Sequence, residues 1–176
     1  MGTVATRLTA EQFLALREDP LVKRELIDGE VLEMPFAGSL HERVKANFLR
    51  ALAGYLDGTG HPGVVTSETP FRFGDDVLKP DVALVLSGNL DPSNTGTVTA
   101  IPDLVVSVAY TEPFREVVRK TRICLDRGVK TVIVASPEDR TIQFHKASGH
   151  RWLRCGETLQ DPDLLPGFSV PVDTLF

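Results

Sequence analysis

A chain of 176 residues with 42% hydrophobic and 24% charged residues has the size and composition of one globular domain, residues 1–176, with room for a sheet and covering helices. Its net charge of −5 argues against a protein that simply coats nucleic acid. No apolar run approaches the ~18 residues of a membrane span, and the opening MGTVATRLTAEQ lacks the basic-then-apolar order of a secretory signal. Cys124 and Cys155 fall in no CxxC or Cys/His pattern, so a reduced, cytoplasmic setting is the expectation.

In chain order, Thr9 with Gln12 three residues on predicts a capping box and a short first helix. RELIDGEVLEM, residues 24–34, reads as two strands folded at Asp28-Gly29, a good hairpin pair. Ser39 with Glu42 predicts a second capping box. Leu40, Val44, Phe48, Leu52 and Leu56 then recur at helical spacing until the glycines 58 and 60. VVTSETPFRF and VLKPDVALVL read as strands around a turn at Gly74-Asp75-Asp76. Residues 87–101, rich in Gly, Asn, Ser, Thr and Pro, read as a surface loop.

PDLVVSVAY is a near-continuous apolar run, the pattern of a strand covered on both faces. A helix over roughly 114–127 follows, closed by Gly128. VKTVIVA is another buried strand, RTIQFHKA and HRWLRC alternate like a hairpin, and PGFSVPVDTLF ends on a short edge element. This order predicts an α/β (α+β) fold with a central mixed sheet flanked by helices. Positive charge gathers in residues 115–130 and again in 140–154, which leaves room for a basic face on an acidic protein.

Two residues stand out chemically. Asp81 follows Pro80 within an apolar run, and proline favours a strand start or an edge, so Asp81 is placed where the strand emerges. A strand-end aspartate bonded to a turn is the bland alternative. Lys120 lies three residues after Val117 and four before Cys124, along the apolar side of its helix, whereas Arg115, Arg119 and Arg122 suit the water side. A lysine so placed either snorkels out or meets a buried anion.

Taken together, ELIDGEVLEM, the helix beginning near His41, KPDVALV, PDLVVSV, Lys120 with Gly128-Val129, TVIVASPEDRTIQFH and LLPGFSVPVDTLF resemble the Uma-two type restriction endonuclease family of bacteria, in the PD-(D/E)XK nuclease superfamily. The resemblance runs from about Glu25 to Phe176. It implies a restriction-endonuclease-like fold, DNA as partner and Mg²⁺-dependent cleavage, and its catalytic set maps onto Asp81, the position of Ser107, and Lys120. In such a site carboxylates hold a hard cation through oxygen, with Asp81 the metal ligand here. The metal neutralises phosphodiester charge and lowers the pKa of a bound water. The lysine orients that water or stabilises developing charge. A substrate with two strands to cut suits a symmetric homodimer.

The chain departs from the family pattern at two places. Where the family reads PDLVVEV this chain reads PDLVVSV, so Ser107 stands at the glutamate position, and Cys124 replaces an aromatic residue four after the lysine. Glu112, Glu116, Glu30 and Glu68 are the carboxylates considered as substitutes, each with a solvated acid as its bland alternative. Asp103 shares the parity of Ser107 but stands too far back along the strand. His41 sits where the family tends to carry a histidine; it either approaches the cleft or ties the hairpin to the helix. The alternative to an endonuclease is an inactive pseudo-nuclease that binds DNA or protein.

Overall fold

The computed structural model describes residues 7–17, 19, 21–35, 38–86, 100–110 and 112–176. The loop expected over 87–101 therefore falls, apart from its last two residues, outside the described residues.

Thr9 caps α1 (Ala10–Leu14) with the reciprocal bonds of a capping box. The hairpin follows as β1 (Val22–Ile27) and β2 (Glu30–Pro35). Its turn residues Asp28 and Gly29 have φ of 51° and 77°, both in the left-handed region that a tight two-residue turn demands. Helix α2 (Ser39–Thr59) buries Val44, Phe48, Leu52 and Leu56 and ends at a left-handed Gly60. Its start differs from the expectation. Gly38 is the N-cap and no side chain caps the helix, because Ser39 is already inside the first turn and Glu42 is instead bonded to Lys45.

The apolar runs on either side of residue 74 each break into two strands. The first run gives β3 (Val64–Thr66) and β4 (Phe71–Phe73), and the second gives β5 (Asp76–Leu78) and β6 (Val82–Val85). Pro70 and Pro80 lie at the two breaks, where proline removes a ladder donor. The halves enter different sheets: a four-stranded one in the order β2-β1-β5-β4, and a six-stranded one ending β7-β6-β3.

Strand β7 (Leu104–Val108), crossover helix α3 (Phe114–Asp126) and strand β8 (Thr131–Ser136) form a parallel unit. β9 (Thr141–Lys146) and β10 (Gly149–Arg154) complete the larger sheet as an antiparallel hairpin, so the sheet is mixed. The C-terminal element pairs as β12 (Ser169–Pro171) with β11 (Thr158–Gln160), a ribbon partner that sequence periodicity did not reveal, before a 3-10 turn over Val172–Leu175.

The six-stranded sheet is covered on both faces. On one, Val82, Leu84, Leu104, Val106 and Ile133 meet α2 and the C-terminal segment. On the other, Ala83, Val85, Val105, Val132 and Val134 meet Val117 and Cys124 of α3 together with Ile27, Phe71 and Phe73 from the smaller sheet. Each fully buried large side chain contributes about 1.5–3 kcal/mol of transfer free energy. The second face, pinched between helix and two sheets, carries the polar cluster.

Candidate active site

Side chains alternate across a strand, so Asp81 follows the parity of Ala83 and Val85, and Ser107 that of Val105. β6 and β7 pair Val82 with Val106 and Ala83 with Val105; one further step of that register sets Asp81 opposite Ser107. The backbone holds Asp81 there from outside the sheet. The Ser67 hydroxyl donates to the Asp81 carbonyl at 3.0 Å, and Glu68 N–H donates to the Pro80 carbonyl at 3.0 Å.

Asp81 is almost wholly buried. Its Oδ2 accepts the Val108 N–H at 2.7 Å, and its Oδ1 lies 2.9 Å from Lys23 Nζ and 3.4 Å from His41 Nε2. Burial alone would raise its pKa; the Lys23 ammonium, His41 and the Val108 N–H outweigh burial and hold the carboxyl well below the usual range. His41 shows the complementary shift. Burial disfavours its charged form, but Asp81 and Glu42 more than compensate and raise its pKa.

Lys120 is the centre of the second cluster. Its Nζ lies 2.7 Å from Glu25 Oε2, forms an ion pair with Glu112 and touches Met34 Sδ at 3.8 Å. Burial would lower the lysine pKa, yet the two carboxylates raise it above its ordinary value. Glu112 moves up, since its own desolvation outweighs the attraction of Lys120. The other oxygen of Glu25 accepts the Lys79 backbone N–H at 2.7 Å. Glu25 thus ties α3 to the chain just before Pro80-Asp81.

These clusters share a cleft of about 220 Å³ whose lining contains Asp81, Ser107, Lys120, His41 and Tyr110. Five carboxylates line it, those of Glu33, Glu42, Glu68, Asp81 and Glu112, against Lys23, Lys120 and His41. Lys45 braces one wall between Glu42 and Glu68, at 2.7 and 3.0 Å. The structure therefore brings Asp81, Ser107, Lys120, His41, Glu68 and Glu112 together. It leaves Glu116 on Arg115 and Arg119, and Asp103 on Lys130 and the Leu86 N–H. Glu30 pairs opposite Ile27 at the hairpin turn and does not line the cleft.

Sequence reasoning missed Lys23 and Glu25. Their signal was parity: two charged residues spaced by two on a strand that ends in buried Leu26 and Ile27 project to one side, the side of Ile27 in the core beneath α3.

The basic stretches are less free than composition suggests. Arg115 and Arg122 are mostly exposed and pair with Glu116 and Asp126 of their own helix, Arg119 holds Asp28 at 2.5 Å, and Lys146 holds Asp161 and Asp163 at 2.6 and 2.9 Å. Arg151 lies over the Phe144 ring, 4.5 Å from its centroid.

The mixed sheet with its crossover helix, and a cleft lined by both Asp81 and Lys120, make up a restriction-endonuclease-like fold. A crystal structure from Anabaena variabilis, described as a putative nuclease belonging to DUF820, shares this fold with a TM-score of 0.85 and 16% identity, over 96% of this chain and 97% of that one. The family model described as "Uma2: Putative restriction endonuclease" matches residues 10–173, and the chain belongs to that family. No curated protein matches it. Among the described residues no helix is long and apolar enough to cross a membrane.

The restriction-endonuclease-like families generally depend on Mg²⁺, and a hard cation needs several oxygen ligands. The residues here do not fit one. Among the described residues no three His, Cys, Asp or Glu side chains converge as a metal group. Asp81 already has partners on both oxygens, Ser107 is neutral, and Glu25 and Glu112 are engaged by Lys120.

Proposed function

We propose that this chain uses the nuclease fold to bind DNA without hydrolysing it. The observation that carries the reading is the pair formed by Asp81 and Ser107. At the point where the family pattern sets two carboxylates side by side, this chain sets one carboxylate, already bonded to a lysine. A neutral hydroxyl does not replace the missing ligand, and a catalytic unit that acts cooperatively loses most of its rate with one member.

The floor of the cleft is acidic and internally paired, so phosphate contacts fall to the exposed surface of α3 outside it. Arg115 and Arg122 on α3 are largely exposed. Tyr110, which lines the cleft, and Phe114, at the start of α3, expose aromatic surface. Arginine with exposed aromatic rings is a combination that grips the backbone and stacks bases.

Fluorescence anisotropy with single- and double-stranded oligonucleotides over a salt series tests this, alongside plasmid cleavage with Mg²⁺ and Mn²⁺. Salt-dependent binding, weakened by Arg115→Ala and Arg122→Ala, with the plasmid intact, is expected. No binding at low salt would end the DNA reading.

A second reading is a Mg²⁺-dependent endonuclease of reduced activity, with Asp81 as the remaining metal ligand and Lys120 as the charge-stabilising residue. The burial of Lys120 in the same cleft as Asp81 favours it. Plasmid nicking by wild type that disappears in Asp81→Ala would establish it.

A further inference from the structure

We propose that Lys23 is the fixed counter-cation of Asp81, a monovalent side chain standing where a divalent ion would be needed, and that it makes the cleft select against divalent metals. The inference rests on the cleft being a former phosphodiesterase centre, but not on DNA binding.

Three observations converge on Lys23. Its Nζ lies 2.9 Å from Asp81 Oδ1, the one carboxylate oxygen not taken by the Val108 N–H. Its charge also acts on Glu112, which lines the same cleft. The ammonium therefore occupies the free side of Asp81, the carboxylate that a metal would have to recruit, with Glu112 held separately by Lys120. Finally, its position is built into the fold. β1 is locked to β2 through six paired residues, with Lys23 opposite Met34, and Met34 itself touches Lys120.

Two residues further along β1, on the same side of the strand, Glu25 meets Lys120. One strand thus presents a cation to the aspartate and an anion to the lysine. Swapping the Lys23 ammonium for a divalent ion would break a largely buried pair and strip the ion of water. It would gain only one carboxylate from Asp81, since Ser107 supplies no charge. Loss of the glutamate and gain of the lysine are two separate barriers to metal, which makes them separable by mutation.

The test is calorimetric titration of Mn²⁺ into wild type, Asp81→Asn, Ser107→Glu, Lys23→Met/Ser107→Glu and Asp81→Asn/Ser107→Glu, with thermal melts confirming that each is folded. Wild type should show no saturable binding. The Lys23→Met/Ser107→Glu protein should bind Mn²⁺ about tenfold or more tightly than Ser107→Glu, a difference of about 1.4 kcal/mol or more, and the Asp81→Asn form should not bind. Equal or weaker binding in the lysine variant would overturn the proposal, as would Mn²⁺ binding by wild type that Asp81→Asn abolishes. If the methionine variant is unfolded, Lys23→Gln, neutral and able to donate to Asp81, takes its place in the same comparison. The metal titration contains no DNA, so failure of the DNA reading in anisotropy and failure of this proposal are independent results.

Discussion

The two ends of the cleft are mirror images in charge. At one end a single carboxylate, Asp81, faces two basic partners, Lys23 and His41; at the other a single ammonium, Lys120, faces two carboxylates, Glu25 and Glu112. They differ in their access to water. The Glu25 side chain is 2% exposed, whereas Glu112 beside it and Lys23 at the other end are 14% and 15% exposed. Glu25 is the counter-charge sealed in the core, while Glu112 and Lys23 both border the cleft. The lysine end thus holds one counter-charge with no access to water, and the aspartate end holds a fixed pair at the cleft surface.

That asymmetry predicts unequal costs of disruption. Lys120→Met strands Glu25 and Glu112 in a poorly solvated place, and removing one partner of a buried ion pair costs about 3–5 kcal/mol. Urea denaturation should show a loss of that size. A loss below about 1 kcal/mol, the value of a surface pair, would mean that the lysine end is as open as the other.

Asp81→Asn should cost less, about 1–3 kcal/mol, the penalty of leaving a polar partner poorly satisfied. The Lys23 ammonium can turn toward water on its own stem. The Val108 N–H can still be met by the amide oxygen. Urea midpoints measured beside those of Lys120→Met rank the two ends directly, and a larger loss for Asp81→Asn would reverse the comparison.

How far the sequence announced these ends follows from the kind of signal each one left. Asp81 and Lys120 were legible because both break a local pattern: an acid after proline in an apolar run, and a lysine at i+3 from Val117 on the apolar stripe. The parallel β7-α3-β8 unit was legible for the same reason, as long apolar strands around an amphipathic helix. The counter-charges were not. Lys23 and Glu25 lie 58 and 95 residues from their partners, and only the packing of one sheet against another puts them in reach. The strand breaks at Pro70 and Pro80 carried a local signal in the lost ladder donor of proline, but the entry of the two halves into different sheets did not.

The mirror also has an acid-range signature. The Asp81 pKa is lowered in the folded state, so its contribution is present above its ordinary value of 3.8 and is lost as pH falls through the folded value. The Glu112 pKa is raised, so its contribution is fully present below its ordinary value of 4.5 and is lost as pH rises through the folded value. The stability difference between wild type and Asp81→Asn should therefore shrink on acidification, while that between wild type and Glu112→Gln should shift in favour of wild type. Urea midpoints taken from neutral pH to well below 3.8 would show it, the Glu112 effect first and the Asp81 effect below 3.8. Slopes of the same sign would mean that both ends respond to acid alike, which would contradict the opposed environments of the two carboxylates.

The smallest effect expected is at Cys124, four residues after Lys120 on the same buried face. Burial pushes its thiol pKa up to about 12, with a lesser contribution from the negative charge of Glu25. Only the thiolate reacts with a disulfide reagent, so Cys124 should stay silent in the folded protein while exposed Cys155 reacts at once. Glu25→Gln removes the lesser cause and leaves the larger, so it should speed Cys124 labelling only slightly if the lysine end stays sealed. Labelling of the variant at the rate of Cys155 would show that Glu25 is what keeps that end closed. The stability lost in Lys120→Met would then report the opening of the core around α3 as well as the broken ion pair.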